Sequence, residues 1–171
     1  MTIFKITMNA HCLVKLNGNQ LELDRNIVNH LTNSVSQVDY IAVLCALGAP
    51  SSAKTGIMNA IVKTFQVKFG PAGSLNCDGF LQPKNAQSEG QRIDGILVST
   101  PPFIIQDNLG RRVAVIMLDL WNNGTMSEEV YGELVNFCFQ ISSVKVFSLL
   151  SPLRQVIKSY FEALVLWANF Y

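Results

Sequence analysis

Residues 40 to 55 read YIAVLCALGAPSSAKT, and this stretch constrains the fold more than any other in the chain. Tyr40 to Leu47 is a continuous apolar run of strand length. Such a run suits a central strand covered on both faces. It passes directly into Gly48, and after the loop Ile57, Met58, Ala60, Ile61 and Val62 follow helical spacing. The order is therefore strand, glycine-containing loop, helix. The loop GAPSSAKT matches the phosphate-binding pattern GxxxxGK[ST] except that Ala53 stands at the second glycine. It is a working nucleotide site, a damaged one, or an ordinary strand–helix turn that contains a lysine.

The pattern has a physical basis. Backbone N–H groups of such a loop form a nest for phosphate, and the following helix adds its positive N-terminal end. The lysine neutralises the outer phosphates, and the Ser/Thr hydroxyl binds Mg²⁺. The candidate phosphate-binding residues are Gly48, Ser51, Ser52, Ala53, Lys54 and Thr55. A second buried-type strand, Arg112 to Leu118, ends at Asp119. An Asp in that position supplies the second Mg²⁺ element of nucleotide hydrolases. Thr55 and Asp119 are the candidate metal ligands.

The remaining segments alternate in type. Cys12 to Leu16 and Gln20 to Leu23 alternate about the turn signal Asn17-Gly18, which predicts a hairpin. Asp24 is placed to cap a helix carrying Ile27, Val28 and Leu31. Residues 68 to 92 are polar and glycine-rich, which predicts a long loop. Ile96 to Ser99 begins a strand that Pro101-Pro102 breaks, and residues 107 to 110 read as a turn. Ser127-Glu128-Glu129 starts a capped helix with Val130, Leu134, Phe137, Cys138 and Ile141. Val144 to Leu150 reads as a third strand and Leu153 to Tyr171 as a last helix. This alternation predicts an α/β fold: a three-layer sheet, mostly parallel, with helices on both faces and an N-terminal hairpin.

Composition removes several classes. The chain of 171 residues carries thirteen basic and twelve acidic side chains, a net charge of +1. That balance argues against nucleic acid as a partner. Charged residues make up 15%, against about 25% in ordinary soluble domains. A surface so poor in charge fits a piece of a larger assembly or a domain missing part of its cover. Cys12, Cys45, Cys77 and Cys138 are widely spaced with no Cys/His cluster; Cys45, in an apolar run, and Cys138, in a helical segment, read as small buried hydrophobes, and a reducing cytosol is the simple inference. His11 and His30 have no ligand-spaced partner. No run of about 18 uninterrupted apolar residues is present, so no transmembrane helix is expected.

Taken together, the hairpin, LELD (21 to 24), VLCALGAPSSAKTGIMNAI (43 to 61), the long loop, Gly95-Ile96, GRRVAVIMLD (110 to 119) and ISSVKVFSLLS (141 to 151) resemble the GTPase domain of atlastins and guanylate-binding proteins. These are dynamin-like large GTPases. The similarity spans nearly the whole chain and is strongest to atlastins. It implies a single, partial GTPase domain over residues 1 to 171, with GTP or GDP and Mg²⁺ as ligands. It implies pairing as a homodimer or with another family member, and a cytoplasmic place peripheral to the endoplasmic reticulum.

The correspondence is incomplete at the chemical positions. Gly48, Lys54, Thr55 and Asp119 match the family's motifs. Ser51 stands where that family places an arginine that stabilises transition-state charge. Ile93-Asp94-Gly95 replaces its Thr-Thr-Gly switch, so the resemblance implies Asp94 as a third candidate metal ligand, one that adds a negative charge beside a polyphosphate. Asp119-Leu120-Trp121-Asn122 lacks the glycine of DxxG, and Gly124 lies two residues too late. No base-reading Arg-Asp follows the last helix, so the expected sheet is one or two strands short. Two functions remain open: a guanine-nucleotide-binding domain with hydrolysis impaired or lost, and a non-enzymatic pseudo-GTPase serving as an interaction module.

Overall fold

The computed structural model describes residues 9–18, 20–48, 54–69, 94–122 and 126–148. Their elements are β1 (Asn9–Asn17), β2 (Gln20–Leu23), α1 (Arg25–Ser34), β3 (Tyr40–Gly48), α2 (Lys54–Phe69), β4 (Gly95–Thr100), β5 (Phe103–Gln106), β6 (Arg112–Trp121), α3 (Glu128–Ile141) and β7 (Val144–Ser148). The expected last helix from Leu153 lies outside the described residues. So does most of the expected long loop, although its first two residues, Lys68 and Phe69, belong to α2.

All seven strands join one sheet in the order β2-β1-β4-β6-β3-β7, with β5 also paired to β6. The sheet is mixed, which corrects the expectation of a mostly parallel one. Only β3 with β6 and β3 with β7 run parallel. The β1–β2, β1–β4, β4–β6 and β5–β6 pairs are antiparallel. For β1–β2 and β5–β6 the reason is the length of the connections. Parallel neighbours need a crossover, usually helical, whereas a tight turn returns the chain antiparallel. The double proline hid one such return. Pro101-Pro102 reads as a terminator, but β5 begins immediately after it and pairs with residues 112–115 of β6, while β4 pairs with 118–121. The turn between β5 and β6 is closed by Asp107, whose carboxylate accepts from the backbone N–H groups of Leu109 and Arg111 at 2.8 and 2.9 Å.

Two cores lie on opposite faces of the sheet. Cys45 and Leu47 of β3, Ile96 and Val98 of β4 and Leu118 and Leu120 of β6 pack with Leu31 of α1 and Leu134 and Cys138 of α3. Ala46, Leu97, Val115 and Met117 pack with Met58 and Val62 of α2. The helices thus cover both faces, and Cys45 and Cys138 are fully buried, as their apolar neighbours predict. Tyr40 and Ile41 depart from the expected burial, being half exposed at the sheet's rim. There Arg111 stacks over the Tyr40 ring at 4.6 Å and donates to its hydroxyl at 3.0 Å. Among the described residues no helix is long and apolar enough to cross a membrane.

Candidate functional site

The site forms where β3 ends and α2 begins. Gly48 is the last residue of β3, with φ at +146°, and an added Cβ would lie 2.1 Å from the backbone oxygen of Ser148. Gly48 and Ser148 are register partners in the β3–β7 ladder. The close approach of β7 therefore demands glycine here, whether or not a phosphate binds. Gly95 follows the same logic: φ is +147°, and a Cβ would meet the Val14 oxygen at 1.9 Å.

Lys54 and Thr55 open α2 and reach two different groups. The Lys54 ammonium is buried and donates to the Gly48 carbonyl at 3.2 Å. Burial pushes its pKa down, and the nearby Asp119 carboxylate opposes that shift. The Thr55 hydroxyl donates to Asp119 Oδ2 at 2.6 Å, across 64 positions of sequence. Trp121 Nε1 donates to the same oxygen at 2.7 Å. Asp119 is fully buried, and its Oδ1 has no hydrogen-bond partner among the described residues. Burial pushes its carboxyl above the usual range, while the Thr55 and Trp121 bonds and the Lys54 charge pull the other way. Its position is set by β6, where Asp119 pairs with Ala46 on one side and Leu97 on the other.

Lys54, Thr55 and Asp119 are thus brought together as their motifs imply. Asp94 is buried but stands further along the sheet. It precedes Gly95, which pairs with Trp121, whereas Asp119 faces Leu97. Three residues of strand separate the two levels, roughly 10 Å. The Asp94 carbonyl accepts from the Leu16 N–H at 2.9 Å, tying it to the hairpin. Among the described residues no group of three His, Cys, Asp or Glu side chains converges on a metal position. Ser51, Ser52 and Ala53 lie outside the described residues, as do Ile93 and Gly124.

Two site residues escape sequence reasoning. Trp121 falls at an unconstrained position of DxxG, yet its indole N–H caps the Asp119 carboxylate. Tyr131 has no motif at all, yet its hydroxyl donates to the Gly48 carbonyl at 2.5 Å across 83 positions. Its one sequence signal is a place in the first turn of a capped helix.

The donor chemistry fits Mg²⁺. That ion takes oxygen ligands, usually one or two from protein, with waters and phosphate completing the shell. Among the described residues Asp119 Oδ1 is a buried oxygen without a hydrogen-bond partner, and the Thr55 hydroxyl oxygen, hydrogen-bonded to the other carboxylate oxygen, still offers lone pairs. Compared with known proteins, the chain matches no family model, and no curated protein matches it.

Proposed function

We propose that this chain is a nucleotide-binding domain of the atlastin and guanylate-binding-protein type, taking GTP or GDP with Mg²⁺, with hydrolysis impaired or lost. The observation that carries the proposal is the Thr55–Asp119 hydrogen bond of 2.6 Å at the start of α2, with the Lys54 ammonium beside it. An accidental strand–helix turn has no need to join a helix-opening threonine to a buried carboxylate on the neighbouring strand.

Each residue has a distinct task. Lys54 moves its positive charge to the outer phosphates. The N-terminal end of α2 adds backbone N–H donors. Thr55 and Asp119 hold the cation, and Trp121 fixes the orientation of the carboxylate by occupying Oδ2. When bound, Mg²⁺ neutralises phosphate charge.

Loss of hydrolysis follows from what surrounds this core. Ser51 brings no guanidinium to the transition state, a group worth on the order of 10³-fold or more in GTPases that use one. The segment after Asp119 is held as strand: Leu120 and Trp121 pair with Ile96 and Gly95. A ladder-bound segment does not swing toward a γ-phosphate.

The second reading, a pseudo-GTPase interaction module that pairs through this face with a family member, is favoured by the complete burial of Asp119 under Thr55 and Trp121. Titration with fluorescent GTP and GDP analogues, with and without Mg²⁺, separates the two. Saturable binding that is abolished in Lys54→Ala supports the nucleotide site. No saturable signal at high micromolar concentration sinks it and leaves the interaction module. GTP turnover that depends on Lys54 would refute the loss of hydrolysis.

A further inference from the structure

The carbonyl of Gly48 is met by two donors from opposite sides of the sheet. From α2 comes the Lys54 ammonium at 3.2 Å, and from α3 comes the Tyr131 hydroxyl at 2.5 Å. The second is at the short limit for an O–H···O bond; the first is at the long limit for an amine. Gly48 itself is buried. A carbonyl has two lone pairs, so both bonds form together.

This geometry matters once Lys54 has work elsewhere. To reach a phosphate the ammonium must leave the Gly48 oxygen. A buried acceptor deprived of its donor carries a desolvation penalty. With Tyr131 in place the oxygen keeps a strong bond, and departure of the lysine leaves no orphan. We propose that Tyr131 is a positioning residue that releases Lys54 for phosphate, by holding the Gly48 carbonyl from the opposite face of the sheet. The inference rests on the phosphate-binding reading above and extends it to a residue on another helix.

Tyr131 is well placed for this. Its backbone N–H donates to the Ser127 carbonyl at 2.9 Å, in the turn that the Ser127 cap starts. Its ring packs against the core formed by α1, α3 and the sheet. Phenylalanine therefore keeps the packing and removes only the hydroxyl.

The test titrates inorganic pyrophosphate calorimetrically into the wild-type chain, Tyr131→Phe and Lys54→Ala. Thermal melting without ligand is recorded for each. The expected result is saturable binding by wild type, none by Lys54→Ala, and about tenfold weaker binding by Tyr131→Phe, equivalent to about 1.4 kcal/mol. A lowered melting temperature with unchanged pyrophosphate affinity assigns Tyr131 a structural role only and overturns the inference. Equal affinity and equal melting overturn it as well. Absence of binding by the wild type overturns the phosphate reading itself, and this inference with it.

Discussion

Asp119 concentrates the electrostatics of this protein in one side chain. It is fully buried, accepts two hydrogen bonds on Oδ2, and has none on Oδ1 among the described residues. Burial disfavours its charged form more than its neighbours favour it, so its folded pKa lies above the ordinary value. The sign of the pH dependence follows. Such a group contributes stability fully below its unfolded pKa, about 3.9, and that contribution is lost as pH rises through the folded value. Asparagine cannot titrate but still presents an oxygen to Thr55 and Trp121. Urea unfolding of wild type and Asp119→Asn across acid to neutral pH should show the difference, wild type minus variant, falling with pH over that window. The slope is bounded at about 1.4 kcal/mol per pH unit. A pH-independent difference would show that the carboxyl is not displaced upward.

The helices are decided at their ends. Asp24 Oδ1 accepts from the backbone N–H groups of Asn26 and Ile27 at 2.9 and 3.2 Å, satisfying two donors of the first turn of α1. Ser127 does the same for α3 by accepting from Val130 N at 3.3 Å. Asp24→Ala should cost about 1 kcal/mol in equilibrium unfolding. In the body of α3, Gly132 has nothing within 4 Å of an added Cβ. Gly132→Ala should raise stability by about 0.5–1 kcal/mol in the same measurement, because glycine is a poor helix former. These opposite signs separate cap chemistry from helix propensity. No such freedom exists at Gly48, where the neighbouring strand fills the space.

For the molecule as a whole, the sheet is shared by two cores. Adjacent residues of β6 point to opposite faces: Met117 packs with α2, Leu118 with α1 and α3. A lesion on either face therefore disturbs the same strand. Met117→Ala and Leu118→Ala should each cost about 2–5 kcal/mol. Both should retain a single transition in which tryptophan fluorescence and far-UV circular dichroism coincide. Two separated transitions in either variant would show that the faces unfold independently and that the single-domain expectation is wrong. The same sharing makes the candidate site possible. Asp119 lies two residues from Met117 on the α2 face, and Tyr131 reaches the end of β3 from the other side.

Local patterns in the chain determined the hairpin about Asn17-Gly18, the caps Asp24 and Ser127, the buried strands ending near Gly48 and Asp119, and the helix that opens with Lys54. Each depends on interactions within a turn or on a period of two or 3.6 residues, which a single segment encodes. Strand direction was not legible in this way. It depends on which strands become neighbours, and the short β5 behind Pro101-Pro102, which the sequence does not mark as a strand, adds one more antiparallel pair to the sheet. The site divided along the same line. The spacing of Gly48, Lys54 and Thr55 was visible in the sequence, and the Asp119 partner could be named from its strand. The burial of that carboxylate, its bond from Thr55 and the Tyr131 bond to Gly48 were decided by tertiary structure alone. The two bonds join residues 64 and 83 positions apart through the packing of helices on both sides of one sheet. No local periodicity carries that information, because those contacts exist only when every layer is in place.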